Sequence, residues 1–164
     1  MSVQPLVRAA REEDCAIIFE MVRELAEYER LSSEVAADAD MLRDALFAPT
    51  PRVFCDMVEG AGDSVAGFAL WFYTFSTFRG RHGVYVEDIY VRPKFRGHGF
   101  GRALLAHAAR RCVAENCARL EWSVLDWNEP ALGFYRAQGA QMLDDWTMCR
   151  LSGESLWRLA DKTL

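Results

Sequence analysis

"VYVEDIYVRPKFRGHGFGRALLAHAARRCVAE", residues 84–115, decides how this chain is read. The segment "VYVEDIYV" is rich in β-branched and aromatic residues, which predicts a strand. A glycine knot follows in "RGHGFG", with Gly97, Gly99 and Gly101 spaced by two. Beyond it, Leu104, Leu105, Ala108, Ala109, Cys112 and Val113 recur along one side of a helix, with Arg102, Arg110, Arg111 and Glu115 mostly on the other. Strand, glycine turn and helix together form a cradle for an anion. Glycines let backbone N–H groups come close to phosphate oxygens. The unpaired donors of the first helical turn and the helix dipole favour negative charge, and Arg96 and Arg102 can add charge-assisted bonds. A P-loop is excluded because no Lys-Ser or Lys-Thr follows, and a dinucleotide fingerprint because Arg102 stands where its third glycine is required. A kinase glycine loop would need H-R-D and D-F-G downstream, and neither occurs. Spacing alone still leaves a plain glycine turn before a helix open.

Working outward, "LVRAA" (6–10) predicts a first strand, and "REEDCAIIFEMVRELAEYERL" a helix with acidic residues in its first turn. A second helix is expected over about 38–47, ended by Pro49 and Pro51. "RVFCDMVE" and "SVAGFALWFYTFST" predict a hairpin, joined by the turn residues of "EGAGDS". After the helix of the opening segment come a strand in "ARLEWSVL" and a short helix in "NEPALGFYRAQGA", with Pro130 in its first turn and Gly139 at its end. "QMLDDWTMCRL" predicts a final strand or hairpin. "SGESLWRLADK" predicts a terminal helix with Ser152 as its N-cap. The order describes a mixed α/β (α+β) domain whose antiparallel half comes first, with 1–164 as a single domain.

Composition narrows the function classes. A net charge of −5 argues against nucleic acid as a partner and is compatible with a small cationic substrate. The five cysteines are scattered and form no C-x-x-C, as expected of thiols in a reducing compartment. His82, His98 and His107 are isolated, without metal-ligand spacing. The N-terminus lacks a signal-peptide layout, and no apolar run reaches the ~18–20 residues of a membrane span. A cytoplasmic protein without membrane association is therefore expected.

"VEDIYVRPKFRGHGFGRALL" resembles the central motif of the GCN5-related N-acetyltransferases (GNAT), whose signature is [QR]-x-x-G-x-[GA] after a strand ending near V-x-P. The likeness extends over nearly the whole chain. "ELAEYERL", "GFALWFYTFST", "VLDWNEPALGFYRAQGA" and the Trp146 region come in the order seen in the diamine (spermidine/spermine) N-acetyltransferase branch, whose near relatives acetylate thialysine. "WNEPALGFY" is the most telling part. The resemblance implies a GNAT fold, with a mixed, mostly antiparallel central sheet flanked by helices. It also implies acetyl-CoA as co-substrate with no metal, a primary amine of a small molecule as acceptor, and a homodimer. By the same resemblance the coenzyme pyrophosphate lies on Arg96, Gly97, His98, Gly99, Phe100, Gly101 and Arg102.

Acetyl transfer to an amine requires that the amine lose a proton, that the carbonyl oxygen be stabilised, and that the departing thiolate be protonated. For the first, the resemblance points to Glu87. An amine of pKa ~10 is mostly ammonium at neutral pH, so a carboxylate of pKa ~4 would work through water or with a raised pKa. A role limited to attracting the cation, or pairing with an arginine, stays open. Strand alternation sets Glu87 and Asp88 on opposite faces. For the second, the family's bulged strand offers a backbone N–H among Ile89, Tyr90 and Val91. For the third, Tyr135 is the family's proton donor beside the sulfur, with Asn128 helping to hold the coenzyme; aromatic packing is the alternative for Tyr135. "AEYER" resembles the segment lining the amine channel, which points to Tyr28 and Glu29, and Asp144 and Asp145 could add negative charge. The acidic stretch before Trp146 is shorter than in polyamine enzymes, which leaves room for a smaller diamine or an amino acid. No cysteine neighbours Glu87 or Tyr135 in sequence, so direct transfer in a ternary complex is expected. The rivals are acetylation of a protein amine or an antibiotic by the same fold, and a non-catalytic CoA-binding regulatory module.

Overall fold

Alternating β-branched and aromatic side chains build two long strands, β3 (Val65–Ser76) and β4 (Arg81–Val91). The computed structural model describes residues 5–161. Before these strands come β1 (Leu6–Ala9), α1 (Cys15–Tyr28), α2 (Ala39–Leu46) and β2 (Phe54–Glu59). After them come α3 (Phe100–Ala114), β5 (Leu120–Trp122), α4 (Glu129–Ala137) and α5 (Gly153–Ala160). The sheet order is β1-β2-β3-β4-β5. Its first four strands are antiparallel neighbours, and β5 runs parallel to β4. A parallel neighbour needs a crossover, which α3 provides. The mixed, mostly antiparallel sheet with flanking helices is the architecture expected.

Each face of the sheet buries its own apolar cluster. On one, Phe100, Leu104, Ala108 and Cys112 of α3 meet Val58, Ala69, Trp71, Val84 and Val86. On the other, Ile18 and Met21 of α1 and Leu46 of α2 meet Cys55, Met57, Phe68, Leu70 and Tyr90. Val113, expected on the apolar side of α3, is 82% exposed, because it lies about 100° round the helix from Cys112.

Local signals place the starts of α2 and α4. Asp38 accepts a 2.8 Å bond from the Met41 N–H at the start of α2. Asn128 does the same for Ala131 at 3.3 Å in α4, where Pro130 sits in the first turn. One expectation is corrected here. The acidic residues before α1 form a separate 3₁₀ turn, Glu12–Asp14, and do not cap the helix. Asp14 instead holds Arg8 of β1 at 2.6 Å, and Arg8 also binds Glu59 of β2 at 2.6 Å. Ser152 occupies the N-cap position of α5 without a side-chain cap bond.

The chain divides into two compact units, the second beginning at Asp126. The second holds α4 and α5 and no strand among the described residues, so the final strand expected in "QMLDDWTMCRL" is absent. Asp144 and Asp145, poor strand formers, make a turn there. Side-chain alternation alone cannot supply the pairing partner that a strand needs.

Candidate active site

The glycine knot leads directly into α3. Gly97 and Gly99 have φ of 77° and 87°, the left-handed region that favours glycine. A Cβ at either would meet nothing within 4 Å, so space lies open above the loop. Gly99 is the N-cap of α3 and provides no side-chain cap, and the first turn carries no acidic residue. Its N–H groups and dipole therefore suit an anion such as a pyrophosphate. Phe100 turns inward: it is 4% exposed and packs edge-on against Phe95 at 5.5 Å. Only its backbone can serve a ligand in the loop. Arg96 donates from Nε to the Val91 carbonyl at 2.9 Å, and Nδ1 of His98 lies 2.8 Å from the Arg96 carbonyl oxygen. Arg102 is exposed on the first turn of α3.

Upstream of the loop, β4 is bulged. Val86 faces Trp71 and Asp88 faces Leu70, so Glu87 has no opposite residue on β3. Pairing with β5 ends at Val86, opposite Trp122. Beyond that point, Asp88 to Val91 pair on the β3 side only among the described residues. The resemblance implies a bulged strand here; past the bulge Ile89, Tyr90 and Val91 lie opposite Ala69, Phe68 and Gly67 of β3.

The bulge also corrects the alternation argument. Trp71 belongs to the α3 face and Leu70 to the α1 face, so Val86 and Asp88 lie on different faces although they are two residues apart. Glu87, pleated away from Val86, shares the α1 face with Asp88. Glu29, just past the end of α1, contributes to the same cluster. Burial, followed by the negative charges of Glu87 and Glu29, pushes the Asp88 carboxyl up to about 6. Burial also raises the Glu29 carboxyl. The Phe72 and Tyr85 rings lie tilted with centroids 5.2 Å apart on this face, and the Tyr85 and Ser123 hydroxyls are 2.6 Å apart. The result is a half-buried acidic cluster beside aromatic rings, suited to a cationic ligand. Sequence reasoning missed Asp88 as a member of this cluster, because the resemblance implied a bulge without its position and simple alternation set Asp88 on the other face.

In the second unit, Asn128, Leu132 and Tyr135 recur at helical spacing and are each at most 8% exposed. Tyr135 lies 5.3 Å from Phe134, ring to ring. Asp145 sits in an exposed turn of the same unit. Among the described residues no group of three or more His, Cys, Asp or Glu could hold a metal ion.

Residues 4–140 match the acetyltransferase (GNAT) family. The chain belongs to that family. It is an acetyl-CoA-dependent N-acetyltransferase. It is 38% identical over 167 residues to a thialysine N-epsilon-acetyltransferase of Bos taurus, covering 96% of this chain and 98% of that protein. An L-ornithine N5-acetyltransferase of Arabidopsis thaliana is 44% identical over 92 residues, 56% of this chain and 40% of the plant protein. Among solved structures, an integron cassette protein from the mobile metagenome of V. cholerae superposes with a TM-score of 0.79 at 27% identity, over 99% of each chain. For this GNAT chain, the first unit brings Glu87 and Glu29 to Asp88, and sets Arg96 of the glycine loop over the Tyr28 and Tyr90 rings. The second brings together Asn128 and Tyr135 on one side of α4.

Proposed function

We propose that this N-acetyltransferase acetylates a primary amine of a small diamine, polyamine or thialysine-like substrate by direct transfer in a ternary complex, with residues 1–164 acting as one domain. The observation that carries the substrate class is the cluster of Glu29, Glu87 and Asp88 on one face of the bulged strand. The thialysine and ornithine specificities of its relatives support the same class. A unit charge about 6 Å from an opposite one gains about 3 kcal/mol at an effective dielectric constant of about 20. Two or three carboxylates therefore hold an ammonium well and repel an anionic acceptor.

Acetyl-CoA, when bound, supplies the acetyl thioester and a thiolate leaving group. The loop from Arg96 to Arg102 holds its pyrophosphate through backbone N–H groups at Gly97–Gly101, with Asn128 on α4 as a further contact. Glu87 accepts the proton from the substrate nitrogen at a carboxylate oxygen, directly or through a water. The gap between an amine near 10 and a carboxylate near 4 is about 8 kcal/mol, which favours the water relay. Asp88, raised to about 6 by burial and by Glu87 and Glu29, adds a negative charge that holds the ammonium in place. The backbone N–H groups among Ile89, Tyr90 and Val91 stabilise charge on the carbonyl oxygen. Tyr135 donates its phenolic proton to the sulfur.

We also propose a homodimer. It is the assembly that the resemblance to the diamine N-acetyltransferase branch implies, and size-exclusion chromatography with light scattering tests it.

Thiol release from acetyl-CoA tests the reading, using spermidine, spermine, putrescine, thialysine, ornithine, lysine and an N-terminal peptide, with Tyr135→Phe alongside. Turnover of one small amine, at least tenfold slower in the variant, is expected. Turnover of the peptide alone would overturn the substrate class.

A further inference from the structure

Glu20, Glu24 and Tyr28 recur every four residues along α1 and so line one side of it. Two arginines from the segment entering the coenzyme loop stand against that stripe. Arg92 donates from Nη2 to Glu20 at 2.6 Å and to Glu24 at 2.8 Å, and from Nε to Glu24 at 3.1 Å. The Arg96 guanidinium lies over the Tyr28 ring, 5.1 Å from its centroid, and over the Tyr90 ring at 5.6 Å. Its Nε is held by the Val91 carbonyl at 2.9 Å. Arg96 immediately precedes Gly97, whose left-handed backbone opens the loop. The plane of Arg96 thus ties the first residue of the loop to the end of α1.

We propose that Tyr28 is a positioning residue for acetyl-CoA: through its stack on Arg96, the end of α1 holds the coenzyme loop in its binding shape. This rests on the N-acetyltransferase reading above and reassigns Tyr28, which the sequence placed only on the amine side. Glu29, the next residue, belongs to the carboxylate cluster that faces the amine. One helix end therefore reaches both the loop and the carboxylate cluster, and any coupling between the two sites through it is reciprocal.

Calorimetric titration of acetyl-CoA into the full chain, without amine, tests the proposal. Tyr28→Leu keeps apolar bulk and helix propensity but removes the ring face; Tyr28→Phe keeps the face. The expected result is acetyl-CoA binding weakened about three- to tenfold in Tyr28→Leu, the range of a cation–π contact, and unchanged in Tyr28→Phe. In an Arg96→Ala background, Tyr28→Leu should have little further effect. An unchanged acetyl-CoA Kd in Tyr28→Leu with a raised amine KM would overturn the proposal and leave Tyr28 a channel-lining residue. A loss of the same size in the Arg96→Ala background would overturn it too. Failure of the wild-type chain to bind acetyl-CoA would instead sink the acetyltransferase reading on which it rests.

Discussion

Asp88 stands opposite Leu70 on the α1 face of the sheet, a place it owes to the extra residue, Glu87, inserted between it and Val86. An acidic side chain is thereby set partly into an apolar surface beside two other carboxylates. The arrangement costs stability, and on the function proposed above it is what attracts the cationic amine.

The first prediction concerns that cost. The folded-state value of Asp88, about 6, lies above the unfolded value near 3.9, so the folded state binds the proton more tightly. Asp88 therefore destabilises the fold above about pH 6, and the penalty fades as pH falls toward 4. Asp88→Asn should raise stability by about 1–3 kcal/mol at pH 7.5 and by much less at pH 4.5. Urea denaturation at the two pH values measures it. An equal gain at both would show that charge is not the cause.

The same group should mark the pH profile of the reaction. As pH falls through about 6, Asp88 takes up a proton and the cluster loses a negative charge. kcat/KM for the amine should show an acidic limb near that pH, absent or displaced in Asp88→Asn, while KM for acetyl-CoA stays nearly constant. Identical profiles for wild type and variant would remove Asp88 from the amine site.

Gly99 tests the loop. Its φ of 87° strains any other residue, although a Cβ there meets nothing within 4 Å. Gly99→Ala should cost about 1 kcal/mol or more of stability and disturb the N-terminal donors of α3. Acetyl-CoA binding should weaken tenfold or more, by titration calorimetry. Unchanged binding would place the pyrophosphate elsewhere.

On the opposite face of the sheet, buried Asp56 accepts a 2.8 Å bond from the Trp71 indole, and His107 stands 3.7 Å away. Burial raises the Asp56 carboxyl, while His107 and the indole bond lower it. Trp71→Phe removes that bond and should cost about 1–3 kcal/mol in denaturation experiments. kcat/KM at 25 °C should hold, because this pair lies on the α3 face, away from Glu87. A selective loss of activity with stability intact would contradict that separation.

Much of the molecule was legible in local chemistry. Apolar periodicity located α1, α3 and the long strands, and Asp38, Asn128, Pro130 and the loop glycines acted where they stand, because caps and left-handed turns depend on neighbours within a few residues. The motif around Arg96–Gly101 and "WNEPALGFY" named the chemistry from residue identity alone. Only the tertiary structure decided that Glu87 and Asp88 share a face, that Phe100 is an inward anchor, that Arg96 lies over Tyr28, and that residues 141–151 form no strand. Each of those depends on partners far away in the chain. A bulge arises from the register of two strands, a stack from the approach of a helix to a loop, and a strand from the presence of an open edge. A pattern read along one segment contains none of these energies.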